Sequence, residues 1–118
     1  MTGIRFVTPW LAVGDALEAA ADVEEVVRQG ITHIVNCRVG FDDAPLIGKR
    51  AACLWVPAAD DRLPKEAGWF LRAIELVREA RRDPAAKVLV HCTGGIDRSP
   101  SMAYAILRSA GWSGLVPS

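Results

Sequence analysis

VLVHCTGGIDRSPS, residues 88–101, is the stretch from which the fold can be read. KVLVH (87–91) is a short apolar run with no polar alternation, which reads as a strand buried on both faces. Gly94 and Gly95 follow as a turn, and SPSMAYAILRSAG (99–111) has the apolar spacing of a helix stopped by Gly111. A buried strand that runs through a glycine turn into a helix is a unit of α/β proteins. The rest of the chain must therefore supply companion strands and covering helices.

Working outward, the chain supplies them. IRFVT (4–8) and WLAVG (10–14) read as strands separated by Pro9, which cannot sit in a central ladder, so the pair is expected as a hairpin-like edge. DVEEVVRQG (22–30) predicts a short amphipathic helix with Asp22 as N-cap and Gly30 as stop. ITHIVNC (31–37) and AACLWV (51–56) are apolar strands, the second closed by Pro57. Between them RVGFDDAPLIGKR (38–50) is a loop with room for one helical turn. PKEAGWFLRAIELVREARR (64–82) is the longest helix, with Pro64 as its first residue and Phe70, Leu71, Ile74 and Val77 or Leu76 at helical spacing. Asp83–Pro84 ends it. The class is α/β, with a central, mostly parallel sheet flanked by helices.

Composition bounds the function. At 118 residues and 51% hydrophobic the chain suits one domain, 1–118. Fourteen basic residues balance fourteen acidic ones, so no net field draws it to nucleic acid or to an anionic membrane, and any anion site must be local. No apolar stretch reaches the ~20 residues of a membrane helix and no signal-type segment opens the chain, so a cytoplasmic protein is expected. Cys37, Cys53 and Cys92 are an odd count without C-x-x-C spacing, which speaks against a disulfide framework and a structural zinc site.

The chemistry concentrates after residue 91. A helix start presents unpaired N–H groups and partial positive charge, and a glycine turn before it lets further amides point into one concavity, a cradle for an anion. Cys92 stands at the rim of that cradle, where amides and Arg98 would favour the thiolate, the reactive form of a cysteine. The guanidinium of Arg98 can hold two oxygens of a tetrahedral oxyanion at once, which an ammonium does less well.

HCTGGIDRS, a His, then Cys, five residues, Arg and Ser, is the signature of the cysteine-dependent protein tyrosine phosphatases, and the chain resembles their dual-specificity group. TPWLAVGDALEA resembles that group's N-terminal strand segment, GITHIVNC its Gly-Ile-Thr-His strand and VPAADD its acid loop, so the likeness runs from about Thr8 to Gly111. The resemblance implies that Cys92 attacks phosphorus while Arg98 and the loop residues Thr93, Gly94, Gly95, Ile96 and Asp97 hold the phosphoryl oxygens. A cysteinyl-phosphate intermediate is then hydrolysed, with no metal or other cofactor. The group's general acid lands on Asp60 of VPAAD, with the adjacent Asp61 as a substitute. Ser99 resembles the hydroxyl that stabilises the departing thiolate, and His91 supports the loop. In some related phosphatases a cysteine placed like Cys37 forms a reversible disulfide with the nucleophile, so Cys37 is a candidate redox partner of Cys92.

Blander readings stand beside these. A cysteine after a strand is usually inert packing, which suits Cys53, and an Asp pair before a helix is usually a cap, which suits Asp61. His33 reads as structural. The four tryptophans read as packing, with Trp69 close enough to the acid segment to border the substrate. Phosphoinositide-directed relatives often carry lysine within the signature. Ile96 and Asp97 leave this loop without one, which disfavours polyphosphorylated lipids and RNA 5′ ends and favours phosphotyrosine, with phosphoserine or phosphothreonine, on proteins.

The resemblance also implies one or two further helices after the last one, so the C-terminal helices are expected to be missing or truncated. An apolar face near Ala105, Ile106 and Leu107 would then be left for a second copy of the chain. The competing readings are a phosphoinositide or other non-protein phosphatase, a phosphopeptide-binding module with little turnover, and a persulfide-transfer enzyme. The last would need no acid upstream of its cysteine.

Overall fold

β-Branched and aliphatic runs set down five short strands in one sheet. The computed structural model describes residues 3–15, 17, 19–40, 42–57, 65–92 and 98–111, and the side chains of 98–100 lie outside that description. The strands are β1 (Ile4–Phe6), β2 (Leu11–Gly14), β3 (His33–Asn36), β4 (Ala52–Trp55) and β5 (Val88–His91). The helices are α1 (Ala20–Arg28), α2 (Ala44–Ile47), α3 (Ala67–Ala80) and α4 (Arg98–Ser109). The sheet order is β1-β2-β5-β3-β4; β1 runs antiparallel to β2, and every other pairing is parallel. The hairpin expected from Pro9 is present, but of its two strands only β1 is an edge. β2 is buried throughout and pairs with the central β5.

Alternation along the strands builds two apolar layers. On one face Val88, Val90 and Cys92 of the β5 segment join Val35 and Cys37 beneath α3 (Trp69, Ala73, Ile74, Val77) and α4 (Met102, Ala103, Ile106). On the other, Leu89 and Ile34 pack against Val23 and Val26 of α1 and Ile47 of α2. The buried stripe of α3 is Trp69, Ala73, Ile74, Val77 and Ala80, and Leu71, expected inside, is 52% exposed.

The helix ends show what the local signals meant. Asp22 is not the N-cap of α1 but its third residue, and its Oδ2 accepts the N–H of the true N-cap Ala19 at 3.1 Å. Ala20 and Ala21, good helix formers, carry the helix back past the expected start. At the other end Gly30 takes φ +79°, and the N–H groups of Gly30 and Ile31 return to the carbonyls of Val27 and Val26 at 3.0 and 3.2 Å. That double closure needs a left-handed residue, which glycine supplies without steric cost. The longest helix begins at Ala67 with Glu66 as cap; Pro64, its expected first residue, lies outside the described residues.

The apolar face expected at Ala105, Ile106 and Leu107 is not exposed. Ile106 is fully buried in this chain's own core, and Ala105 and Leu107 pack against the same cluster. The outward side of α4 carries Tyr104 instead. These positions therefore give no basis for a homodimer. No helix among the described residues is long and apolar enough to cross a membrane.

Candidate active site

β5 is fastened at both margins, which fixes where its C-terminal end emerges. Thr32 holds the start of β5 to β3: its Oγ1 accepts the Lys87 N–H at 3.0 Å and donates to the Lys87 carbonyl at 3.1 Å. On the other side the Val88 N–H donates to the Trp10 carbonyl at 2.8 Å. In that register His91 lies level with Gly14 on β2 and Asn36 on β3. The next ladder bond, from the Cys37 N–H to the His91 carbonyl at 2.8 Å, brings Cys37 beside the exit of the strand. Gly14 is required at this level, because a Cβ there would stand 2.9 Å from the Gly3 carbonyl oxygen.

Cys92 is the first residue past β5, and α4 begins at Arg98, so the signature's cysteine and arginine bracket five residues between a central strand and a helix start. This is the carboxyl edge of a parallel sheet whose connections depart to opposite faces, where α/β proteins place their ligands. Cys92 is buried and belongs to the α3–α4 layer. Arg98 and Ser99 are the first two residues of α4, though their side chains fall outside the description. Thr93, Gly94, Gly95, Ile96 and Asp97, together with Asp60 and Asp61, lie outside the described residues.

Two indoles fasten the rim beside this edge. Trp55 Nε1–H donates to the Arg38 carbonyl and Trp69 Nε1–H to the Val56 carbonyl, each at 2.6 Å. Asn36 adds two more bonds, its carbonyl accepting from Val56 N–H at 2.8 Å and its Oδ1 from Arg38 N–H at 2.9 Å. The Trp69 ring, expected near the acid segment, belongs to the core beneath α3 and α4. It is buried in the core, edge-on to Phe70, and its hydrogen bond holds the backbone just before Pro57. The segment that carries Asp60 leaves from that point.

His91 is fully buried, and its Nε2 is hydrogen-bonded to Oδ2 of Asp43, which is also buried. Asp43 was not among the expected site residues. Its position before α2 reads as a cap, yet its side chain makes no capping bond; Asp42 caps the turn instead, accepting the Ala44 N–H at 3.0 Å. The two remaining thiols behave differently. Cys37 is buried just past the end of β3, beside the end of β5. Burial pushes the half-buried Cys53 thiol up to about 11, and the charges of Asp43 and Asp42 add to this, so it stays protonated and unreactive at neutral pH. His33 bonds through Nδ1 to the Thr32 hydroxyl at 2.7 Å, a structural role.

The family model described as "Dual specificity phosphatase, catalytic domain" matches residues 16–113. A mouse relative, dual specificity protein phosphatase 13B, is 34% identical over 112 residues, covering 91% of this chain and 56% of the relative. The crystal structure of human DUSP28 is 29% identical with a TM-score of 0.73, covering 88% of this chain and 67% of that one. That of DUSP15 is 26% identical with a TM-score of 0.77, covering 92% and 66%. The chain spans about half the length of the curated relatives it matches. A family match from residue 16 to 113, on a fold that sets Cys92 at the end of the central strand and Arg98 at the start of a helix, means that the chain belongs to the dual specificity phosphatases, within the cysteine-dependent protein tyrosine phosphatase superfamily.

Proposed function

We propose that this chain is a phosphoprotein phosphatase that hydrolyses phosphotyrosine, and phosphoserine or phosphothreonine more slowly. The observation that carries the reading is the placement of Cys92 just past the end of β5 and of Arg98 at the start of α4, separated by five residues in the chain. The Cys92 thiolate attacks phosphorus, and the phosphorus–oxygen ester bond breaks as Asp60 gives a proton to the leaving oxygen. Arg98, the helix start and the amides of 93–97 hold the equatorial oxygens, where charge gathers in the transition state. Water then attacks phosphorus and gives its proton to Asp60. The sulfur–phosphorus bond breaks, and Ser99 donates a hydrogen bond to the departing thiolate.

Hydrolysis of a phosphotyrosine peptide, a phosphoserine peptide and a phosphoinositide tests the substrate class. The peptides are expected to turn over and the lipid to lag, because Asp97 puts an acid where a polyanion would need a base. A faster lipid reaction would move the substrate class to phosphoinositides. Asp60→Asn is expected to lower kcat on the phosphotyrosine peptide by about 10² and to matter less for p-nitrophenyl phosphate, whose leaving oxygen needs little proton help. Asp61→Asn is expected to change little. The reverse pattern would make Asp61 the acid.

The same placement supports a redox role for Cys37. Cys37 and Cys92 occupy matching positions on neighbouring strands, which run ~4.8 Å apart, within the separation a disulfide spans. Peroxide converts the Cys92 thiolate to a sulfenic acid; the Cys37 thiol then attacks that sulfur, releasing water and closing the bridge. Mass spectrometry after mild peroxide is expected to show Cys37 joined to Cys92, with activity restored by a thiol reductant. Sulfinic Cys92 without any bridge would refute the pairing. A reducing, cytoplasmic setting is the compartment in which such a bridge would be reversible.

A further inference from the structure

Basic and acidic residues cancel over the whole chain, so a local surplus of one sign is informative. Such a surplus lies where α3 and α4 end side by side. There Arg78, Arg81 and Arg82 line a cleft of about 230 Å³ together with Val77, Ser109 and Ala110. Among the described residues no carboxylate lines it, and neither Arg78 nor Arg81 has one within ion-pair distance. Arg81 is nonetheless held in place, its guanidinium 4.0 Å over the Trp10 ring. Arg82 meets Glu79 at 3.6 Å, but both side chains are exposed, and such a pair exchanges partners at little cost. Asp83, the next acid, turns back on its own chain, its Oδ1 accepting the Ala85 N–H at 2.9 Å. One cation in the last turn complements a helix dipole, and Arg78 supplies it for α3 and Arg108 for α4. Arg81 and Arg82 exceed that need.

We propose that this cleft docks an acidic segment of the phosphoprotein substrate, with carboxylates on either side of one apolar side chain. The proposal rests on the phosphoprotein reading above. The volume is below the about 300–1,000 Å³ of small-molecule sites and suits a side chain of a polypeptide lying across the cleft. Val77 and Ala110 give that side chain an apolar contact. Guanidiniums three and four residues apart round the end of α3 match carboxylates spread along a chain better than one compact anion. A chain of zero net charge favours a short acidic segment over RNA or an anionic membrane. The cleft is remote from the chemistry: α4 runs twelve residues from Arg98 to Ser109, which places it roughly 17 Å from the start of that helix. A docked segment therefore raises the local concentration of the phosphorylated side chain without touching it, so KM falls while kcat holds.

The test compares a plain phosphotyrosine peptide with the same peptide joined to glutamates flanking a leucine. About ten flexible residues join them, with a mean span of roughly 17 Å. The joined peptide is expected to have a KM about tenfold lower with kcat unchanged. Arg78→Gln, Arg81→Gln and Arg82→Gln together are expected to abolish that gain and to leave turnover of the plain peptide as in the wild type. Arg5→Gln, Arg28→Gln and Arg50→Gln together remove an equal charge elsewhere, and at physiological salt they are expected to keep the gain. Lysines in place of the glutamates are expected to lose it with the wild-type enzyme, so the test stands even where a variant is unstable.

Equal KM values for the two peptides, or a gain that survives the three cleft substitutions, would overturn the proposal. So would oligouridylate or phosphatidylserine vesicles binding more tightly than the glutamate–leucine segment and depending on the same arginines. Self-association in sedimentation that those substitutions abolish would make a second copy the occupant and overturn it too. The unphosphorylated segment, carrying a fluorescent label, is expected to bind the wild type about tenfold more tightly than the cleft variant. That result in a protein that hydrolyses no phosphate ester would leave the docking cleft standing and sink the phosphatase reading.

Discussion

Cys92→Ser is expected to lower kcat on a phosphotyrosine peptide by ~10³ or more while the peptide still binds. A serine hydroxyl occupies nearly the same space at the end of β5, so the strand and the start of α4 keep their places. What goes is the nucleophile, because a hydroxyl does not ionise near neutral pH without a base while a thiol can. The variant places a hydroxyl in a buried position within the α3–α4 layer, which is expected to cost about 1–3 kcal/mol of stability if the hydroxyl finds no partner. Thermal melts should therefore accompany the kinetics, run where both proteins are folded. Peptide affinity measured by titration is expected to stay within a few-fold of the wild type. Wild type and Cys92→Ser hydrolysing equally slowly, with binding intact, would instead make the chain a phosphopeptide-binding module.

Arg98→Lys is expected to lower kcat by about 10³, with a smaller change in KM. Lysine keeps the positive charge at the start of α4, so attraction for a dianionic substrate largely survives. It cannot present two parallel N–H groups to two oxygens of the phosphoryl group, and that geometry matters most when the oxygens spread toward the transition state. A loss confined to KM would mean that Arg98 serves ground-state binding only. Arg98→Ala is expected to fall below Arg98→Lys in both parameters, because it removes the charge along with the fork.

The strands were legible because parallel strands covered on both faces read as unbroken apolar runs, as ITHIVNC and KVLVH do. The one-turn helix α2 was legible only as a possibility, since Ala44–Ile47 is too short for any periodicity to appear. Helix phase was read less well than helix existence. Leu71 looked like core and Trp69 like rim, but the buried face of α3 is Trp69, Ala73, Ile74, Val77 and Ala80, and its two alanines contribute little to an apolar pattern. Ile106 went astray for a related reason: the core formed by β5, α3 and α4 within this chain already covers it.

At the site, Cys92, Arg98, Ser99 and His91 stand together in one short stretch, and a motif of that density is visible without tertiary structure. Asp43 carries no such local signal. Asp42 and Asp43 are indistinguishable as letters in a loop, and only the register of β5 against β3 brings one of them beneath His91 while the other turns outward to cap Ala44. The two indoles that fasten Arg38 and Val56 were equally hidden, because their partners are backbone carbonyls, which any sequence supplies.

The central claim is covalent: phosphate passes through the sulfur of Cys92. Ser99→Ala, which weakens support for the departing thiolate, is expected to slow the second step more than the first and to let the intermediate accumulate. Mixing that variant with a phosphotyrosine peptide, quenching within the first turnover and mapping the digest by mass spectrometry should find phosphate on the peptide that carries Cys92. Steady release of inorganic phosphate with no phosphate on Cys92, or with phosphate on any other residue, would contradict the account.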